Sequence, residues 1–344
     1  MKITKPFFCT AKVTIFLFIA NLFFITYAHS NSLEYINIVS ARQEYLVKPI
    51  FDEFTKDTNI QVNYIFADST EDILNVIKEQ QEKSEVDLFL FVEASDLYKA
   101  QQQGFLQPIY SEILDKNIPT NLKDPSRQWF GFSMYARCLI YNTQKVNPEY
   151  LKDYESLTDE IWYKKLALRS SKNIYNISMV AMMIAHYGYD TTKIILQGWV
   201  KNLAKEPFES DVDVIKSIIN NEANIGIING YYLAEMLKKD PSLPLKILWL
   251  GNDNNEVHIN ISGMGVMRYA KRKENAIKLL EWLSSSKGQQ LFANINMEYP
   301  VNKDVLPHPL LQKWGSFKSS KINVRKAGEL QALAIKLTQE ISYE

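Results

Sequence analysis

The sequence predicts an α/β protein of two lobes with a ligand cleft between them. Three observations carry this. Strand-type and helix-type patterns alternate from residue 35 to residue 104, and a second alternating set begins at residue 166. Two extended apolar stretches, residues 129–142 and 258–266, are placed to cross between the sets. With 344 residues and 46% hydrophobic content, the chain has apolar matter for one large core or two medium ones.

The amino end departs from this average. Lys2, Lys5 and Lys12 precede an apolar run over residues 13–26, and Ala28-His29-Ser30 follows with the small-x-small pattern of signal-peptidase cleavage. Residues 1–30 therefore read as a signal peptide; the run is short for a membrane span, which argues against the alternative of a retained anchor. Cleavage would remove three of the 39 basic residues and no acidic one. Cys9 would leave with the signal, and Cys138 alone forms no internal disulfide. Such an exported chain must rest on a real hydrophobic core, as a sizeable periplasmic protein does.

Beyond the signal, residues 35–41 read as a strand and 45–57 as a helix whose Pro49 is tolerable only in the first turn. Residues 61–67 alternate as a strand. Ser69 caps a helix with Ile73, Val76 and Ile77 on its buried face. An apolar strand over 86–92 and a helix over 95–103, ended by Gly104, complete a β-α-β-α-β run that predicts a parallel, doubly wound sheet. Residues 117–128 are polar, contain Pro119 and Pro125, and read as a loop; 129–133 and 136–142 are extended, with Trp129 and Phe130 placed at the hinge. The second lobe offers a strand at 166–169 and helices at 177–187, 194–203 and 212–220. The 225–228 strand, a turn at Asn229-Gly230 and a new helix follow. Helices at 270–284, 287–293 and 325–342 close the chain. The lobes then comprise residues 31–133 with 262–300, and 134–261 with 301–344.

Formal net charge is zero, which points to neither nucleic acid nor an acidic membrane as partner. The four histidines, His29, His186, His258 and His308, lie far apart, and no His-Glu-x-x-His pattern occurs. Ser262-Gly263-Met264-Gly265 is not a nucleophile elbow and has no His–acid pair at recognisable spacing, which disfavours a hydrolase. Met179, Met182 and Met183 fall at helical spacing and read as core, not as a copper site. His258 reads as a polar crossover residue bonded to backbone, and Glu93 as a helix cap.

What stands out is tyrosine at two strand-to-helix junctions. Tyr231-Tyr232 follows an apolar strand, and Tyr175 follows Arg169-Ser170-Ser171-Lys172-Asn173. In open α/β sheets such junctions border the binding crevice, and exposed helix N–H groups there favour negative charge. Three converging phenols suit either a stacked sugar or aromatic ligand or a hard trivalent cation. Ionising one phenol of pKa ~10 at pH 7 costs about 4 kcal/mol and three about 12, which only a strong Lewis acid offsets. Three phenolates would balance the charge of Fe(III). Calcium or magnesium would call for carboxylates, and zinc for His or Cys.

Taken in order, Ser40-Ala41-Arg42, Trp129-Phe130-Gly131-Phe132 with Ala136-Arg137, and Arg169-Ser170-Ser171-x-Asn173-Ile174-Tyr175-Asn176 resemble the periplasmic ferric-ion-binding proteins of iron ABC importers. So do Asn229-x-Tyr231-Tyr232, His258-Ile259-Asn260-Ile261-Ser262-Gly263 and Glu298-Tyr299-Pro300-Val301. The resemblance spans nearly all of the mature chain and implies a two-lobed, type II-like periplasmic binding fold. It implies Tyr175, Tyr231 and Tyr232 as ligands of Fe(III). Many members place His, or His-Tyr, after Ser-x-Arg. This chain has Gln43-Glu44-Tyr45, which sets Glu44 where some relatives have a ligating tyrosine and makes it the first-lobe candidate. Members that complete the shell with carbonate or another small anion imply Arg42 and Arg137 as its holders. The resemblance further implies a monomeric, non-enzymatic receptor in the periplasm that serves the permease and ATPase of an iron importer. The rival expectation is a related receptor for an organic or anionic solute, such as a polyamine, thiamine or a phosphorylated sugar.

Overall fold

Strand β1 (Tyr35–Ser40) is the first element of the computed structural model, which describes residues 34–67 and 69–343. The expected signal peptide, residues 1–30, lies outside the described residues. Helix α1 (Lys48–Thr58) carries Pro49 at its start, where the missing N–H costs nothing, and ends on Asn59 in the left-handed conformation. Strand β2 (Gln61–Phe66) leads to α2 (Thr70–Gln80), capped as expected by Ser69, which accepts from the N–H of Asp72. The buried face of α2 is Ile73, Leu74 and Ile77; Val76, expected inside, is 48% exposed. In helical projection Val76 sits on the edge of that face, and Leu74 takes the inward place. Strand β3 (Leu88–Phe91) is followed by α3 (Ala94–Gln102) and Gly104 at φ 74°, which only glycine adopts without strain. Helix α4 (Glu112–Asn117) ends where the expected loop begins.

Strand β4 (Phe130–Asn142) is one 13-residue strand rather than two extended pieces. After it come β5 (Leu166–Ala167), α5 (Ile174–Tyr187), α6 (Tyr189–Lys201), α7 (Asp211–Ile219), β6 (Ile225–Asn229) and α8 (Gly230–Lys239). Next are β7 (Leu245–Leu248), β8 (Glu256–Val257) and β9 (Ile259–Val266), then α9 (Lys273–Ser284) and α10 (Ser286–Asn296). The chain finishes with β10 (Tyr299–Pro300), α11 (Pro309–Gln312), β11 (Lys318–Ser319), α12 (Lys326–Glu329) and α13 (Gln331–Glu340).

The main sheet runs β2-β1-β3-β9-β4-β6-β5, with β7 and β10 also paired to β4. The parallel sheet expected of the β-α-β-α-β run forms among β1, β2 and β3, and antiparallel strands join it. β1 pairs parallel with β2 and β3, and β5 with β6, but β9 inserts between β3 and β4 antiparallel to both. Crossover-helix reasoning covers only strands joined by one helix. β9 instead returns from the far end of the second lobe, and β4 runs against it and against β6.

Two groups of cores flank this sheet. One gathers β1, β3 and β9 with α1, α2, α3 and α9, and it holds Trp129 and Phe130, which are fully buried there rather than at a hinge. On the other side the alternation of β4 divides its residues between two faces. Leu139 and Tyr141 pack with Ile225, Ile227, Met179 and Trp199; Cys138 and Ile140 pack with Ile228, Val214, Ile215 and Leu233. Gly226 lies on the second face. A Cβ there would come within 2.7 Å of Val214 and 2.9 Å of the Ala167 carbonyl oxygen, so the sheet and α7 meet too closely for any side chain. That packing fixes the end of β6, and with it the start of α8.

Candidate functional site

Both tyrosine junctions are built by helix starts. Asn173 is the N-cap of α5, and its side-chain oxygen accepts from the Tyr175 N–H at 3.0 Å. The helix begins three residues earlier than expected, so Tyr175 belongs to its first turn. At the second junction no turn intervenes: β6 runs through Asn229 directly into α8, whose second and third residues are Tyr231 and Tyr232. The Asn229 N–H is held by Asp211 Oδ2 at 2.9 Å, and its side-chain amide donates to the Tyr231 hydroxyl at 3.2 Å.

All three tyrosines line one cavity of about 290 Å³. The rings of Tyr231 and Tyr232 are 4.4 Å apart, and the phenols of Tyr175 and Tyr232 both act on that of Tyr231. Burial pushes the Tyr175 phenol well above its ordinary pKa. Tyr232 and Glu93 add to this, while the bond from Tyr231 and the charge of Arg42 pull against it. Burial likewise raises Tyr231, with Tyr175 and Tyr232 adding to the shift. Tyr175 and Tyr231 are therefore protonated at neutral pH.

A fourth tyrosine was not anticipated. Tyr135 stands edge-on to Tyr175 at 5.7 Å and to Tyr231 at 6.0 Å, in the same cavity. Strand alternation was the available signal: residues 133, 135 and 137 share one face of β4, so a cleft-facing Arg137 would have brought Tyr135 with it. Its hydroxyl is already committed, bonding to the Glu93 carboxylate and to the Val92 carbonyl at 2.9 Å. Glu93 occupies the N-cap position of α3 yet makes no capping bond. It accepts from Tyr135, from Ser178 at 2.7 Å and from Asn260. Burial raises this carboxyl to about 8, against the pull of the Tyr135 and Ser178 bonds. Glu235, one turn beyond the tyrosine pair on α8, is a second unanticipated residue of the cavity wall.

The two arginines part company. Arg42 lines the cavity, buried, with its guanidinium on Ser262 Oγ at 2.5 Å and Glu298 Oε1 at 2.9 Å; its Nε has no partner among the described residues. Arg137 is not among the cavity-lining residues. It is 1% exposed beneath the tyrosines, ion-paired to Asp211 at 3.1 Å and bonded to Asn176 at 2.6 Å and the Ile227 carbonyl at 3.2 Å. Its role is to tie β4 to the starts of α5 and α7. Arg137→Met should leave the Asp211 carboxylate buried without its cation. A loss of about 3–5 kcal/mol of stability is expected in chemical denaturation, and a loss within ~0.5 kcal/mol would refute this role. Glu44, the expected first-lobe ligand, sits in an exposed 3₁₀ turn outside the cavity, whereas its neighbours Gln43 and Tyr45 line it.

Among the described residues no group of three or more His, Cys, Asp and Glu is placed to hold a metal, so the phenol cluster is the only hard-oxygen metal candidate there. Residues 50–319 match the profile of the bacterial extracellular solute-binding proteins. The chain belongs to that family. This solute-binding protein is 34% identical to iron uptake protein A1 of Synechocystis sp. over 315 residues, 90% of this chain and 87% of the relative. It is 34% identical to iron uptake protein A2 of the same organism over 348 residues, 99% and 98% of the two chains. Among solved structures it matches the Trichodesmium protein IdiA (FutA) in complex with iron and citrate. The identity is 38%, the TM-score is 0.85, and 90% of this chain and 100% of that one are covered. The Mannheimia haemolytica ferric iron-binding protein A in an open conformation matches at 36% identity and TM-score 0.85, with 90% and 99% covered. The solute-binding protein accordingly has the two-lobed type II periplasmic binding fold that the sequence led us to expect.

Proposed function

We propose that this solute-binding protein captures Fe(III) as cargo in the cavity of Tyr175, Tyr231 and Tyr232 and delivers it to the permease and ATPase of an ABC importer. The observation that carries the reading is the convergence of three phenols from two helix starts in one cavity. Anionic oxygen suits a hard trivalent ion, and helix amino ends favour the charge that ionised phenols bring. The iron-related names of the relatives support the same cargo over an organic solute. Arg42, with its unpaired Nε, is the residue to hold carbonate or another small anion beside the metal; Arg137 is spent on Asp211. Gln43 and Tyr45, not Glu44, form the wall from which the first lobe reaches the cargo.

The lobes are taken as residues 31–133 with 262–300 and 134–261 with 301–344; the first core draws mainly on the first set and also takes Ala136, Val257, Ile259, Ile261, Val301 and Val324 from the second. The protein acts as a monomer in the periplasm after loss of residues 1–30. No helix among the described residues is long and apolar enough to cross a membrane. Capture and release involve no covalent step. Closure of the lobes over bound iron makes the form a transporter recognises.

Adding ferric citrate to the iron-free protein should produce a visible phenolate-to-iron charge-transfer band that saturates at one equivalent. A colourless protein whose melting temperature rises with a polyamine or sugar phosphate instead would overturn the reading.

A further inference from the structure

Helix α5 has a second face that the tyrosine site does not use. Met179, Met182, Met183 and His186 recur at three- and four-residue spacing, which brings them to one side of the helix. They line a small cavity with His258, which lies between β8 and β9. Its volume is about 20 Å³, room for one water molecule or one bare ion. The three methionines are 0%, 5% and 3% exposed.

Core packing accounts for buried thioethers. It does not account for His258, which is 5% exposed and whose ring Nδ1 is buried without a hydrogen-bond partner among the described residues. The backbone bond expected for this ring is absent. The His258 N–H instead donates to the Tyr154 hydroxyl at 3.3 Å, and its carbonyl accepts from Arg137. Burial, with the charge of Arg137, lowers the imidazole to about 3, so the ring is neutral with a lone pair free at any ordinary pH.

We propose that this cavity is a site for one soft monovalent cation, Cu(I), held by His258 and the thioethers of Met179, Met182 and Met183. All four ligands are neutral and match a soft ion, and the one carboxylate of the cavity wall, Glu256, is paired with Lys318 at 3.3 Å. A single positive charge also carries the smallest desolvation cost into so enclosed a space. His186 stands at the rim, its Nε2 2.6 Å from Asp253 Oδ1, with side chains 17% and 64% exposed, and marks the way in. The site depends on none of the cleft tyrosines, so its test is independent of ferric binding.

Titrating the whole iron-free protein anaerobically against the coloured Cu(I) complex of a chelator should withdraw one equivalent of metal. The Met182→Leu/Met183→Leu variant keeps side-chain volume and should keep the fold, as its thermal unfolding will report. It should bind at least about 100-fold more weakly, the upper end of what loss of a supporting residue costs a metal site. His258→Gln should do the same. Ag(I) added to protein labelled at the methionine methyls should shift the signals of residues 179, 182 and 183 and leave the other methionines unmoved. Failure to withdraw Cu(I), equal binding by the folded double variant, or shifts confined to other methionines would each overturn the proposal.

Discussion

Tyr231→Phe should remove most of the ferric charge-transfer colour and weaken Fe(III) binding by at least about 10³-fold, since even supporting residues around metals are worth 10–100-fold. The tyrosine is chosen for its central place: Tyr175 and Tyr232 both act on its phenol, and its ring lies 4.4 Å from that of Tyr232. Phenylalanine keeps the ring and its packing, so only the oxygen is lost. Tyr135→Phe is the matched control. It removes a phenol from the same cavity, but one whose hydroxyl serves Glu93 and Val92, and ferric affinity should change less than about tenfold. Equal losses in the two variants, or colour retained in Tyr231→Phe, would show that the phenol oxygens are not assigned correctly.

Iron uptake should also be strongly pH-dependent, with affinity falling as the solution is acidified. Burial raises the phenols of Tyr175 and Tyr231 above their ordinary range, so both hold protons in the iron-free protein at neutral pH. A metal must expel those protons to bind, and the higher the phenol pKa, the more tightly protons compete. At least two protons released per iron make affinity fall by at least about 100-fold per pH unit between pH 8 and pH 6, relative to a competing chelator of known protonation. A pH-stat recording at least two protons released per iron captured, and fewer in Tyr231→Phe, would establish the linkage. Release of less than one proton would mean that the phenols stay protonated and that some other group binds the metal.

Much of this was legible in the residues. Alternation and capping located α1, α2 and α3, because each has a local signal: Pro49 near a start, Ser69 as a cap, and Gly104 at an end. The two tyrosine junctions could be read because a strand followed by a helix start is a local event. What escaped was non-local. The antiparallel insertion of β9 is decided by which strand arrives beside β3, and no spacing within residues 259–266 records it. Arg137 was expected in the cleft because an arginine beside a binding strand resembles an anion holder. Its burial against Asp211 depends on the docking of α7, a contact between residues 74 positions apart. Glu44 was misplaced by counting along the chain through a turn, and Tyr135 was passed over because β4 was read as two segments rather than one alternating strand.

The two walls of the cavity differ in how freely evolution can rewrite them. Tyr175, Tyr231 and Tyr232 are fixed by helix starts whose caps, strand pairing and ion pair are buried, so a substitution around them disturbs the second core as well as the cargo. The opposite wall at Gln43 and Tyr45 lies on or beside a three-residue 3₁₀ turn with no buried residue. Exchanges there cost the fold little. Descendants of this chain can therefore retune what completes the shell, and how readily it lets go, through single changes at 43–45 while the phenols stay as they are.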